Sequence, residues 1–236
     1  MRILVIPDIH LKPWVFAAAS ALMKNQATDR AVCLMDIADD WGQEYNLDLY
    51  TQAYDTAIRF AENFPDTLWC YENHDLSYLW KRWETGYSPL AEQTVCEKLE
   101  KLRKALPDER QIAYIHRVDS LLFSHGGLTD MFVRRYVPSQ HCNNVDEVIA
   151  RINRLGSFAM WSDFSPLWYR PSYGARMYKP RKLLQVTGHT PVRKTEKEGN
   201  LIMCDTFSTY RDGKTPIGTQ KFTIINTETL EYSEAN

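Results

Sequence analysis

Aspartate, asparagine and histidine side chains cluster in five short segments of this 236-residue sequence, and together they could bind metal ions. The first two, Asp8 and His10, are two residues apart, which places both on one face of an extended chain. Carboxylate, amide and imidazole donors without a thiolate favour Mn, Fe or Zn over a purely oxygen-ligated Ca or Mg site. The segments are PDIH, MDIADD, ENHD, SHGG and TGHT, with candidate side chains Asp8, His10, Asp36, Asp39, Asp40, Asn73, His74, His125 and His189.

Each of the five segments directly follows a predicted strand. The strands are apolar runs at residues 2–6, 31–35, 67–71, 121–124 and 183–187. In open α/β sheets the carboxyl ends of the strands border one crevice, so the five segments are expected to meet there. Carboxylates gathered in such a crevice repel one another and lose hydration, at a cost of several kcal/mol per ion unless cations compensate. This placement predicts a metal site.

The rest of the chain alternates between helical and strand patterns, which is typical of an α/β protein. Asn46 is a candidate N-cap for a helix whose apolar residues recur at three- and four-residue intervals until Pro65. No repeat or linker is evident, so residues 1–236 are expected to form a single domain. Further helices are predicted at 14–23, in the Trp- and Tyr-rich region up to residue 106, and at 145–155, and further strands at 112–115, pairing with 121–124, and at 201–204 and 222–225.

Composition narrows the classes of partner and location. The formal net charge is −2, and no run of lysine and arginine suggests a nucleic-acid tail. No apolar run reaches the length of a membrane span, and the initial one is too short for a signal peptide. Five cysteines without a CxxC pair favour reduced thiols over disulfides or a zinc ribbon. We therefore expect a cytoplasmic protein without nucleic-acid or membrane partners, and its oligomeric state stays open.

Each motif taken alone has a simpler structural interpretation. An aspartate at a strand end often caps the following turn, and a histidine is often a hydrogen-bonded structural residue. The MDIADD carboxylates could belong to a solvated loop, and His116 and His141 are interpreted as structural or surface residues. The order and strand placement of all five segments together favour the metal site.

The five segments resemble the motifs of the calcineurin-like metallophosphoesterases. PDIH, MDIADD, ENHD, SHGGLT and TGHTPV correspond to the pattern DxH, GDxxD, GNH(D/E), H and GH of that superfamily. FSHGGLT and VTGHTPV match beyond the ligands, which is similar to the phosphoprotein phosphatase branch and its compact bacterial and phage members. The resemblance spans Asp8 to Thr190. It implies a four-layer α/β sandwich of two mixed β-sheets flanked by helices, with two divalent or trivalent metal ions at one edge.

The resemblance also implies a role for each candidate residue. His74 would be the general acid that protonates the leaving oxygen, oriented by Asp39, while a hydroxide bridging the two ions attacks phosphorus. The implied ligand sets are Asp8, His10 and Asp36 for one ion and Asp36, Asn73, His125 and His189 for the other, with Asp36 as the bridge.

Three positions depart from the pattern of the superfamily. Met35 and Glu72 replace glycines, and a side chain at either position could strain the turn or crowd the metals. Asp40 stands where the protein phosphatases carry an arginine that binds phosphate, so it is a candidate substrate-contacting residue of altered charge. Arg170, in MWSDFSPLWYRP, is the candidate replacement, and the alternative is a surface arginine beside an aromatic cluster.

The function expected from this pattern is metal-dependent hydrolysis of phosphomonoesters, either small molecules or phosphoproteins. A phosphodiesterase or nucleotide hydrolase with the same dinuclear centre is a second interpretation. A third is a non-catalytic scaffold that keeps the fold. The presence of His74 and of every implied ligand argues against the scaffold, because a scaffold needs no general acid.

Overall fold

Strands and helices alternate along the chain in this computed structural model, which describes residues 1–25, 28–180 and 183–236. The strands are β1 (Arg2–Ile6), β2 (Arg30–Cys33), β3 (Leu68–Cys70), β4 (Ile112–Ala113), β5 (Ile115–Val118), β6 (Leu121–Ser124), β7 (Leu184–Thr187), β8 (Glu196–Glu198), β9 (Leu201–Met203), β10 (Phe222–Asn226) and β11 (Tyr232–Ala235). The helices are α1 (Trp14–Asn25), α2 (Leu47–Asn63), α3 (Asn73–Trp80), α4 (Glu92–Ala105), α5 (Asp130–Tyr136), α6 (Val145–Ile152) and α7 (Ser157–Met160).

The strands form two mixed sheets. The first has the order β11-β10-β1-β2-β3-β4, and the second has the order β5-β6-β7-β9-β8. In the first sheet β1, β2, β3 and β4 are parallel neighbours, whereas β10 runs antiparallel to β1 and to β11. In the second sheet β6, β7 and β9 are parallel, and β5 and β8 are antiparallel edge strands.

Alternate residues of β1 face opposite sides of the first sheet. Ile3 and Val5 pack between the two sheets, in one apolar cluster with Phe123 of β6. Leu4 and Ile6 pack on the outer face with α1, α2 and α4. A third cluster packs α5 and α6 on the outer face of the second sheet. The four layers confirm the predicted α/β sandwich, while the extent of the single domain stays a prediction.

The helix predicted after Asn46 is confirmed. The Asn46 side chain accepts a hydrogen bond from the backbone N–H of Leu49, so it caps α2 as expected. The apolar stripe of α2 is buried, including Tyr50 and Tyr54. Those two tyrosines carry their hydroxyls to the edge of the sheet where the polar segments lie, so α2 also positions the site.

The predicted pairing of residues 112–115 with 121–124 is confirmed for Ile115, which pairs with Ser124, and is wrong for residues 112–114. Ile112–Ala113 forms β4, which pairs with β3 in the first sheet, whereas the partner of β6 is β5. The chain crosses from one sheet to the other at Tyr114, so one apolar run supplies two strands. Periodicity alone shows no such crossing because both strands are buried.

The helical region predicted up to residue 106 is two helices separated by segment 81–91. Lys81 ends α3 with a left-handed φ of 53°, and α4 begins at Glu92. The predicted strand at 31–35 ends at Cys33, two residues early, and β8 and β11 were not predicted. No helix in the described part of the chain is long and apolar enough to cross a membrane.

His116 is a buried structural histidine, which is one of the two alternatives, structural or surface, that the sequence left open. It lies on β5, and its Nε2 donates to the backbone oxygen of Trp69 at 2.9 Å. Burial lowers the pKa of His116 to about 4. The folded protein therefore keeps this imidazole neutral at pH values where the unfolded chain protonates it.

We predict that His116→Gln makes the free energy of unfolding less dependent on pH. The pKa of His116 is lower in the folded state, so its contribution is present above about pH 6.5 and is lost as the pH falls toward 4. When the pH is lowered from 7 to 4.5, the free energy of unfolding measured in urea should fall by about 2–3 kcal/mol less in the variant than in the wild type. Equal losses would contradict the assignment.

Candidate metal centre

The structure brings together side chains that follow β1, β2, β6 and β7. Nε2 of His10 lies 3.4 Å from Oδ2 of Asp36, and Nε2 of His125 lies 3.7 Å from the same oxygen. Nδ1 of His125 is 3.9 Å from Oδ1 of Asp8. Nδ1 of His189 is 3.0 Å from Nε2 of His125, so one of these rings donates to the other. Segments more than 100 residues apart thus share one small volume.

Several of these ligand atoms are buried without a hydrogen-bond partner among the described residues. They are Asp8 Oδ2, Asp36 Oδ1, Asn73 Oδ1 and His189 Nε2. A buried polar atom without a partner costs free energy, so a group that accepts its lone pair would be stabilising. Ligand atoms of Asp8, His10 and Asp36 lie within 4.8 Å of one another. Three ligand atoms this close together can bind one cation.

Backbone hydrogen bonds hold the loop after β1 against the loop after β2. The backbone N–H groups of Ile9 and His10 donate to the oxygen of Asp36 at 3.0 and 2.7 Å. The N–H of Leu11 donates to the oxygen of Ile37 at 3.0 Å. These bonds fix the two loops to each other, so the position of Asp36 relative to His10 follows from the backbone.

The loops turn through left-handed backbone conformations at residues that are not glycine. The φ angles are 44° at His10, 59° at Met35, 55° at Asp36, 62° at Asp39 and 59° at His189. Each such residue costs about 1–3 kcal/mol and tends to occur at functional sites. Met35 thus takes the conformation that glycine allows freely, and its side chain is fully buried in the core beside α2.

Glu72, the second replacement for glycine, caps α3. Its carboxylate accepts hydrogen bonds from the backbone N–H groups of His74 and Asp75 and is fully buried. One of its oxygens also lies within 4.8 Å of ligand atoms of Asp36 and His125. The sequence indicated only an obstacle here. In the structure Glu72 is a helix cap at the centre and a further candidate ligand.

Asp75 holds the loop that carries Asp36 and Asp39. It accepts hydrogen bonds from the Tyr54 hydroxyl and from the backbone N–H of Ala38, the latter at 2.9 Å. Asp75 is fully buried. The ENHD motif contains this residue, but its positioning role depends on contacts with residues about 20 and 40 positions away.

His74 and Asp39 form the hydrogen-bonded pair that the sequence predicts. Nδ1 of His74 lies 3.0 Å from Oδ2 of Asp39. The other oxygen of Asp39 accepts from the hydroxyls of Tyr50 and Tyr78 at 2.7 and 2.5 Å. Asp39 is therefore fixed by two tyrosines, and it fixes the His74 ring with Nδ1 as the hydrogen-bonded nitrogen.

The charges around His74 favour its protonated form. Burial lowers the pKa of this imidazole, but the negative charges of Asp36 and Glu84 and the hydrogen bond to Asp39 outweigh burial, so the pKa is raised well above its usual value. An imidazolium that borders a cleft can donate a proton to a bound molecule.

Burial dominates the pKa shifts of the candidate ligands. It raises the pKa of Asp8 and Asp36, that of Asp36 to about 7, and nearby carboxylates raise the pKa of Asp8 further. Burial lowers the pKa of His10, His125 and His189, so these rings are neutral and keep a lone pair. A cation would favour the ionised carboxylates without displacing protons from these histidines. The donor set therefore fits metal ions.

The centre opens into a cleft of about 520 Å³. Arg170 lies in its wall, and its guanidinium donates to the backbone oxygen of His189. Asp40 lies in the wall too, paired with Lys12 at 2.9 Å and accepting from the Thr209 hydroxyl at 3.1 Å. Lys12 is buried and was missed by the sequence analysis, although it follows PDIH by two residues. The carboxylate of Asp40 is thus paired with the ammonium group of Lys12.

The chain matches no family model and no curated protein. By structure it is similar to a cold-active protein tyrosine phosphatase of a psychrophilic Shewanella species, at 15% identity and a TM-score of 0.55, over 100% of this chain and 80% of that one. A novel archaeal phosphodiesterase matches at 14% identity and a TM-score of 0.46, over 100% and 99%. A metallophosphoesterase from Sphaerobacter thermophilus matches at 14% and 0.42, over 100% and 88%.

The chain shares its fold with the cold-active protein tyrosine phosphatase of the Shewanella species. The two mixed sheets with their flanking helices and the likeness at a TM-score of 0.55 confirm the architecture expected from the motifs. The branch of phosphoprotein phosphatases and the roles of the individual site residues stay predictions.

We predict that Tyr54→Phe lowers the free energy of unfolding by about 1.5–3 kcal/mol, because it removes a donor from the buried Asp75 carboxylate. Tyr87→Phe is the matched control, since the Tyr87 hydroxyl bonds Glu92 near the surface. Urea unfolding of both variants measures the difference. Similar losses of unfolding free energy in the two variants would show that the hydrogen bond to Asp75 stabilises the fold no more than the one to Glu92.

Proposed function

We propose that this protein is a metal-dependent phosphoric ester hydrolase that acts on phosphomonoesters, including phosphoproteins. The observation that carries the proposal is a set of buried, unpartnered ligand atoms beside the His74–Asp39 pair. Metal binding alone would require only the unpartnered ligand atoms. The His74–Asp39 pair is what hydrolysis of an ester with a poor leaving group requires in addition.

The proposed centre holds two ions of Mn, Fe or Zn. When bound, such a pair activates water as the nucleophile and neutralises charge on the phosphate oxygens. The residues that would hold the ions are Asp8, His10 and Asp36 for one and Asp36, Asn73, His125 and His189 for the other.

In this proposal His74 is the general acid. Asp39 occupies its Nδ1, which leaves Nε2 as the nitrogen that gives a proton to the leaving oxygen. The His74 side chain is 18% exposed and lines the cleft, so an ester bound there can reach it. Protonation of an alkoxide leaving group by a positioned acid contributes about 10²–10⁴ to the rate.

Arg170 is the proposed phosphate-binding residue. One N–H of its guanidinium is bound to the backbone of His189, and the remaining donors are available to two phosphate oxygens. Lys12 offsets the charge of Asp40, which weakens the repulsion that Asp40 alone would exert on a doubly charged monoester. The likeness to structures named as protein tyrosine phosphatases supports phosphoproteins as candidate substrates.

Metal removal and re-addition test the proposal. Chelator-treated protein should lose hydrolysis of 4-nitrophenyl phosphate and regain it with Mn²⁺, and bis(4-nitrophenyl) phosphate should be the poorer substrate. A preference for the diester would favour the phosphodiesterase interpretation. Absence of both activities with bound metal would favour a scaffold.

We predict that Asp36→Asn weakens binding of both metal ions, because this carboxylate is proposed to bridge them. The loss should be at least roughly 10–100-fold, measured by titration of chelator-treated protein with Mn²⁺. Asn73→Ala should weaken mainly one of the ions. Two ions bound to Asp36→Asn at wild-type affinity would disprove the bridging role.

We predict that His74→Asn keeps the metal content and lowers kcat for an alkyl phosphate by about 10²–10⁴-fold. The loss for 4-nitrophenyl phosphate should be much smaller, since its leaving group needs no proton. A comparison of kcat for the two esters measures the acid role directly. Equal losses would remove His74 from that role.

A further inference from the structure

Glu84 is a cleft carboxylate that the sequence analysis did not identify. It lies on segment 81–91 between α3 and α4, and its side chain is 10% exposed. Its Oε1 accepts from Nδ2 of Asn73 at 3.0 Å and lies 3.4 Å from Nδ1 of His74. One oxygen atom therefore contacts both a candidate metal ligand and the candidate general acid.

The contact with Asn73 determines which atom of its amide faces the metal site. Oε1 of Glu84 accepts from the NH₂ group of Asn73, which directs Oδ1 the other way. Oδ1 is buried and has no partner among the described residues. With the amide rotated by half a turn, two N–H donors would face the ions in place of the ligand oxygen.

The contact with His74 adds to that of Asp39. Asp39 contacts the ring through Oδ2 and is bound to two tyrosines, whereas Glu84 approaches the same nitrogen from segment 81–91. Asp39 is hydrogen-bonded to Nδ1 of His74, and Glu84 lies 3.4 Å from the same nitrogen. Nε2 is therefore the ring nitrogen left for the substrate. Of these two carboxylates, Glu84 is the one that also binds Asn73.

Segment 81–91 is packed so that Glu84 keeps its place. The Trp83 ring stacks on Tyr87 at 5.6 Å, and Tyr87 stacks on Tyr78 at 4.3 Å. Gly86 has a φ of 93°, and a Cβ there would lie 3.2 Å from Cβ of Asp39. The segment thus approaches Asp39 closely at Gly86, two residues after Glu84.

We propose that Glu84 is a positioning residue, which fixes the Oδ1 of Asn73 toward the metal site and the Nε2 of His74 toward the substrate. Its effect on the rate rests on the proposed function, while its effect on the Asn73 amide does not. Glu84 would couple the metal affinity of one site to the orientation of the acid.

Two substitutions separate these effects. Glu84→Gln keeps an oxygen that can accept from Asn73 but loses the negative charge beside His74. Glu84→Leu loses both. The matched controls are Glu44→Gln and Glu44→Leu. Glu44 lines the same cleft, and within the described structure it forms no hydrogen bond or ion pair with Asn73 or His74. Thermal unfolding of all four variants checks that each is folded.

The first measurement is titration of the chelator-treated proteins with Mn²⁺ alone. Glu84→Leu should weaken the affinity for one of the two ions by about tenfold or more, the equivalent of one charged hydrogen bond. Glu84→Gln and both Glu44 variants should stay near the wild type. Wild-type affinity in Glu84→Leu would overturn the role at Asn73.

The second measurement compares kcat for ethyl phosphate and 4-nitrophenyl phosphate. Both Glu84 variants should lower the ethyl phosphate rate about tenfold more than the nitrophenyl rate. An unchanged ratio of the two rates would overturn the role at His74, because a general loss of structure lowers both rates alike.

The third measurement needs neither metal nor substrate. The side-chain NH₂ protons of Asn73 should exchange with water more slowly in the wild type than in Glu84→Leu, as observed by NMR. Equal exchange would overturn the amide contact. If the wild type hydrolyses neither ester, the proposed function fails, while this exchange and the Mn²⁺ titration still decide the role of Glu84.

Discussion

Loss of hydration by carboxylates buried together at one edge of the sheets is the constraint on which the site depends. Asp8, Asp36, Glu72 and Asp75 are all removed from water within a few residues of the strand ends. Each would be costly to ionise without compensation. The protein compensates partly with oriented donors. Asp8 accepts from the backbone N–H of His189 at 2.8 Å, Glu72 accepts from two N–H groups at the start of α3, and Asp75 accepts from the Ala38 N–H and the Tyr54 hydroxyl.

One buried oxygen each of Asp8 and Asp36 has no hydrogen-bond partner among the described residues, and this explains why cations suit the centre. The same logic explains why the surrounding histidines are neutral. Burial and the neighbouring rings make a proton on His125 or His189 unfavourable, so these side chains can offer lone pairs. His74 differs because the negative charges of Asp36 and Glu84 and the hydrogen bond to Asp39 outweigh its burial and raise its pKa. The candidate ligands and the candidate acid are thus distinguished by their immediate neighbours, although all three residues are histidines.

The sequence allowed prediction of the parts of the fold that repeat a local pattern. Most of the strands, the Asn46 cap of α2 and the convergence of the five polar segments followed from periodicity and spacing. It could not show that the chain changes sheets at Tyr114, since the apolar run at residues 112–115 continues without interruption across the change.

The partners at the site were hidden for a different reason. Lys12, Glu72 and Glu84 contact the candidate residues through loops whose paths are set by the whole fold. Glu84 in particular lies outside every motif, in a segment for which the sequence pattern predicted a helix. Only the break between α3 and α4 brings its carboxylate to Asn73.

The two replacements of glycine show how a strained turn can be retained. Met35 takes a left-handed conformation that costs stability, yet its side chain fills core volume that glycine would leave to its neighbours. Glu72 adds a buried carboxyl group, yet it satisfies two N–H groups at the start of α3. Both side chains therefore tie the loops after β2 and β3 to their surroundings. The turn that presents Asp36 and the helix that presents His74 are thereby held by packing and hydrogen bonds, where the superfamily pattern uses the freedom of glycine.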